Sequence, residues 1–258
     1  MKNYLIVGLV RAARCILLVI CGGSSILIGI DGSPTLRLGQ RNVVVDTLSD
    51  TVFPQIVAGG SWTTTITLVN LDVKPSRVTL MFGDSEGGDL FLNFVGVVQP
   101  RSALSYEIPV NGFVAIQTVD TGSLQQGYGL LLAASPFGNG GKVGGVAVFR
   151  QMVPGRPDFE AAVPLSAVTE KRFRIPFDNM AGFATGVALM TFGADSQGEV
   201  IRTPTTVQAE FWDEGGVRLG TGSLTLPFLA HRAFSLADQF PALANKRGVI
   251  EFRSSKDF

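Results

Sequence analysis

The sequence contains a single histidine, His231, and two cysteines, Cys15 and Cys21, both inside an apolar run near the N-terminus. A histidine-based metal site or a Ser-His-Asp triad would have to pass through His231, and residues 31–258 hold neither a disulfide nor a thiolate. Charge is scarce too. Only 16% of residues are charged, with 21 basic against 21 acidic, so no basic field is present to draw a nucleic acid. Glycine (31), proline (13) and a 46% hydrophobic fraction are plentiful, and with abundant Thr, Val and Phe they favour packed cores of short strands and many turns over long helices.

The first thirty residues read as an address. Lys2, Arg11 and Arg14 precede the nearly unbroken apolar stretch from Cys15 to Ile30, the order expected of a secretory signal. No small-x-small site follows the core, so an uncleaved signal-anchor helix is the alternative, although sixteen residues is short against the ~20 that span a bilayer. Leu18-Val19-Ile20-Cys21 has the outline of a lipoprotein box, with Ile20 where a small residue belongs. The expectation is an exported chain, extracellular or at the cell surface, touching a membrane only through residues 4–30. Residues 31–51 then form a linker with a short first strand near Asn42 to Val45.

The remainder is organised around a hairpin written twice. Val78 to Leu90 (VTLMFGDSEGGDL) and Val207 to Leu219 (VQAEFWDEGGVRL) each alternate apolar residues before an acidic Gly-Gly turn. Upstream, Trp62, Thr64, Ile66 and Leu68 share their phase with Phe183, Thr185, Val187 and Leu189. Downstream, Glu107-Ile108-Pro109 matches Thr225-Leu226-Pro227, and the strand opening at Gly129 matches the one opening at Gly248. This spacing predicts an all-β chain: two tandem antiparallel β-sandwich modules of immunoglobulin-like size at 52–166 and 172–258, behind the N-terminal signal or anchor helix. Module one continues through a strand at Val143 to Gln151 and a closing segment to Ser166. Module two has only ten residues after Gly248, so it reads as incomplete, with an open edge suited to strand addition.

The segments IPFDNMAGFATGVAL (from Ile175), LTLPFLAHRAFSL (from Leu224) and FPALANKRGVIEF (from Phe240) resemble an uncharacterised tandem β-sandwich repeat of large secreted proteins of soil bacteria. The resemblance runs from about Val52 to the C-terminus and is looser over Phe91 to Arg101; the repeat it points to has no assigned catalytic activity.

Few residues suggest chemistry. His231 lies near Ser235 and Asp238, but the chain has no G-x-S-x-G elbow, and a surface or turn role for His231 is expected. Asp84, Glu86 and Asp89 are weak calcium candidates whose spacing departs from an EF-hand; acidic and glycine residues are also what a tight hairpin requires. The Gly138 to Val143 loop lacks phosphate-loop spacing. Among Tyr106, Phe113, Tyr128, Phe137 and Trp212, which could offer a sugar-stacking face, Trp212 stands out. It is out of phase with inward Phe211, and packing against module one is its expected place. Trp212, Asp213 and Glu214 form the candidate binding surface. The sequence thus points to a non-catalytic structural or interaction protein without cofactor or nucleic acid, with a protein or polysaccharide as partner. The alternative is a carbohydrate-binding module of a larger secreted protein or enzyme.

Overall fold

The computed structural model describes residues 51–134, 141–155, 157–167, 172–192, 203–227 and 230–254, together with the backbone of four N-terminal strands. Those four are β1 (Gly8–Leu9), β2 (Cys15–Gly23), β3 (Thr35–Leu38) and β4 (Arg41–Val44). A first half follows with β5 (Thr51–Ala58), β6 (Trp62–Asn70), β7 (Ser76–Asp84), β8 (Ala103–Ile108), β9 (Phe113–Gln117), β10 (Gln125–Ala134), β11 (Val143–Gln151), β12 (Phe159–Pro164) and β13 (Ser166–Ala167). The second half holds β14 (Arg172–Asp178), β15 (Ala184–Phe192), β16 (Thr205–Asp213), β17 (Arg218–Leu226), β18 (His231–Ser235), α1 (Leu236–Gln239) and β19 (Arg247–Ser254). The fold is all-β with largely antiparallel sheets, as its turn-rich composition requires.

In the first half, a sheet ordered β13-β5-β10-β7-β8 faces one ordered β12-β11-β6-β9. Their inward residues, including Phe53, Ile66, Leu80, Phe82, Leu131 and Phe149, form one core. In the second half, β14-β19-β16-β17 repeats the order β5-β10-β7-β8, and its inward Ile175, Phe177, Val207, Phe211, Ile250 and Phe252 form a separate core. The hairpin copies are β7 and β16, and Phe82 and Phe211 are both inward and fully buried.

Matched side-chain bonds show how closely the halves agree. Thr64 donates from its hydroxyl to the Val57 carbonyl (2.5 Å) and accepts the Val57 N–H. Thr185 does the same with Asp178 (3.1 and 2.9 Å). Both threonines are buried, and these bonds tie neighbouring strands of opposing sheets together where no ladder can. One expected correspondence shifts. Gly129 pairs with Phe82 and Ile250 with Phe211, so the counterpart of Gly248 is Gly127 and not Gly129. The reason is a close approach: a Cβ on Gly127 would lie 2.0 Å from the Gly83 carbonyl oxygen, and one on Gly248 1.9 Å from that of Trp212.

Two further expectations change. Cys15–Gly23 was read as helix but is strand, pairing in parallel with β15 along nine residues. A short apolar run does not declare helix or strand by its period, and an unpaired edge nearby satisfies its backbone as a strand. The rest of the expected helix, residues 24–30, lies outside the described residues. The second-half sheet that seemed incomplete has the order β1-β2-β15-β18, with β2 standing where β11 stands beside β6. Among the described residues, no helix is long and apolar enough to cross a membrane.

Candidate functional site

Outward residues of the β14-β19-β16-β17 sheet build an open groove of about 820 Å³. Alternation puts Arg174 and Pro176 of β14, Val249 and Glu251 of β19, and Glu210 and Trp212 of β16 on the face opposite the core. Strand register then arranges them in rows. Pro176, Val249 and Trp212 align as an apolar bar across three strands, and Arg174, Glu251 and Glu210 align beside it. On the bar's other flank Arg247 bonds Asp178 (3.0 Å) and approaches Glu214 (3.9 Å).

The charged row is internally balanced. Glu251 has no exposed side-chain surface and is ion-paired with Arg172 (2.7 Å), Arg174 and Arg253. Burial alone would raise its carboxyl pKa; hydrogen bonds from the three arginines outweigh burial and hold it at about 2. Arg218 closes the row on Glu210 at 2.8 Å. Trp212 is half-buried, with the Arg174 guanidinium over its ring at 5.5 Å. Among the described residues this groove is lined by the second half, so Trp212 faces the groove, where packing against the first half was the expectation. It points away from its own core because it follows inward Phe211 by one residue in a strand.

The same rows in the first half have a different fate. By register, Val52, Leu130 and Met81 stand where Arg174, Glu251 and Glu210 stand, while Tyr128 and Gly83 take the places of Val249 and Trp212. These first-half residues are buried yet belong to neither core, because β15 and β18 of the second half lie across β5 and β10. Gly83 is needed here, since a Cβ would meet the Tyr128 ring at 2.2 Å. Burial, then Asp84 and Asp89, push the Tyr128 phenol up.

His231 corrects the sequence reading most sharply. It opens β18 and is 2% exposed, held in the contact between the halves. Its Nε2–H donates to Gln55 Oε1 at 2.6 Å, leaving Nδ1 as acceptor toward the Ser85 hydroxyl at 3.4 Å. Burial lowers its pKa to about 4, so it is neutral at ordinary pH. Its ring nitrogens face Gln55 and Ser85 rather than Ser235 or Asp238. A partner 176 residues away in sequence leaves no local signal for this role.

The acidic turns do conformational work. Asp84 Oδ1 accepts the N–H groups of Glu86 (2.9 Å) and Gly88 (2.8 Å), and Asp213 Oδ1 accepts those of Gly215 (2.9 Å) and Val217 (2.8 Å). Asp84, Glu86 and Asp89 do not assemble as ligands: among the described residues no three potential metal-binding side chains converge. Tyr106 packs on the first core and Phe113 is exposed on β9, so the candidate aromatics do not gather around Trp212. Phe137 and most of its glycine loop lie outside the described residues. Trp212, Asp213 and Glu214, singled out in the sequence, line this groove together with Arg174, Arg247 and Asp178, which were not, and Glu251 lies beside it. The alternation of Arg172-Phe173-Arg174-Ile175 was the available signal.

No protein-family model matches this chain, and no curated protein matches it.

Proposed function

We propose that this chain is an exported, non-catalytic β-sandwich protein that engages a partner through the Pro176–Val249–Trp212 bar. In this reading residues 1–30 carry the export signal, two related sandwich modules occupy 52–166 and 172–258, and the protein joins the tandem-repeat group it resembles. The groove carries the reading. It is the face the second half leaves open where the first half is covered, and it combines an apolar floor with satisfied charged rims. The neutral, enclosed His231 supports a non-catalytic role, since its only described ring partners are Gln55 and Ser85.

Trp212 favours a second reading, binding of an uncharged polysaccharide. An indole and a proline ring offer flat apolar faces, while Arg247–Asp178 and Arg174–Glu251 offer hydrogen-bonding groups whose charges already cancel. Affinity electrophoresis of the full chain and of Trp212→Ala through gels cast with neutral or acidic polysaccharides tests both. Retardation by a neutral polymer, lost in the variant, supports the glycan reading. Loss of a protein partner's binding in Trp212→Ala without glycan retardation supports the first. Unchanged binding of either kind removes the groove from both.

A further inference from the structure

The two halves differ at one edge. In the first half β6 lies between β9 and β11, with β12 beyond: the order is β12-β11-β6-β9. Its counterpart β15 has β18 on one side, matching β9, but among the described residues the second half has no strand of its own matching β11. A bare edge there would leave a row of backbone N–H and C=O groups unpaired beside buried Val187, Ala188, Leu189 and Met190.

That place is filled from far away in sequence. β2 lies along β15 in unbroken register from Cys15 opposite Ala184 to Gly23 opposite Phe192, and β1 lies outside β2. The pairing is parallel, whereas β11 pairs antiparallel with β6. A parallel strand cannot arrive through a tight hairpin, so β2 completes the sheet as an added strand and not as a continuation of the second half. The nine residues CILLVICGG carry no charge and are rich in Ile, Leu and Val, as a strand inserted into a sheet should be.

We propose that the β15 edge is a strand-acceptor site and that Cys15–Gly23 of the same chain is its occupant. The N-terminal apolar run then has a role beside targeting: while attached, it closes the second half, and its removal bares β15. The inference is independent of what the Trp212 groove binds.

The register supplies its own test, because native Cys15 is paired along the backbone with Ala184 and native Cys21 with Met190. Residues opposite one another on adjacent strands lie about 5 Å apart, within the roughly 4.4–6.8 Å between Cα atoms that a disulfide spans. Intact 258-residue chains carrying Ala184→Cys, Met190→Cys or, as register control, Gly186→Cys are purified reduced and treated with oxidised glutathione. Each new protein disulfide forms as two thiols lose two electrons and two protons and glutathione disulfide is reduced. Peptide mapping should find Cys15 joined to position 184 and Cys21 to position 190, within one chain, at least tenfold faster than either cysteine joins position 186. Ala184 is half-buried, so its variant should keep the parent circular dichroism spectrum even if the Met190 variant does not. Equal rates at all three positions would overturn the register, and links formed only between chains would overturn the same-chain occupant.

Discussion

The two halves of the molecule follow one path and use it for different ends. Phe82 and Phe211 hold equivalent places in the two cores, yet Phe82 is covered by Phe94 from a long β7–β8 connection, whereas Phe211 is covered by Phe240, just past α1. The outer faces diverge more. Val52, Leu130, Met81 and Tyr128 are buried by the second half; Arg174, Glu251 and Glu210 put an ion-paired charged row at three of those places. A repeat keeps its inward residues because a core tolerates little change, while its outward residues follow whatever each copy meets.

The largest expected effects test whether the halves are equivalent. Gly127→Ala and Gly248→Ala should each destabilise by upwards of about 3 kcal/mol in denaturant titration, since each Cβ would collide with a carbonyl across the strand. Tolerance of one change but not the other breaks the correspondence.

His231 tests the contact between the halves. Its folded pKa of about 4 lies below the ordinary 6.5, so the unfolded chain binds more protons between those values. The contribution is full above pH 6.5 and lost as the pH falls toward 4, amounting to roughly 3 kcal/mol. His231→Gln should flatten that slope, and a slope unchanged in the variant would place the titration elsewhere. Glu251, held at about 2 against an ordinary 4.5, acts in a lower window, with its contribution lost as the pH falls from 4.5 toward 2. Stability should therefore fall with acid over two adjoining pH windows, the upper one set by His231 and the lower by Glu251.

Smaller effects sharpen the match. Thr64→Val and Thr185→Val each take a partner from a backbone carbonyl and N–H, and each should cost about 1–2 kcal/mol. Unequal losses would mean that the two bonds are alike in geometry only. Smallest is Trp212→Ala, for which stability should change by under about 1 kcal/mol because the ring lies outside the core. A loss of several would make Trp212 a structural residue instead of a binding one.

Much of this was legible beforehand where information is local. Alternation at Val78 to Phe82 and Val207 to Phe211 marked strands and inward faces correctly, and the acidic turns behaved as turns because Asp84 and Asp213 serve N–H groups two and four residues on. Trp212's outward direction followed from its phase alone. His231 was misread because its partners Gln55 and Ser85 come from another part of the chain, and Cys15–Gly23 because an apolar run of nine carries no period of its own.

By itself, then, the sequence determined strand positions, inward residues and turn chemistry, all set by a period of two and by bonds spanning a few residues. Which face lies open, that the single histidine is enclosed and which strand completes the second half were decided only in three dimensions. Each depends on packing between segments more than a hundred residues apart, where burial and backbone pairing, rather than local propensity, choose the partner.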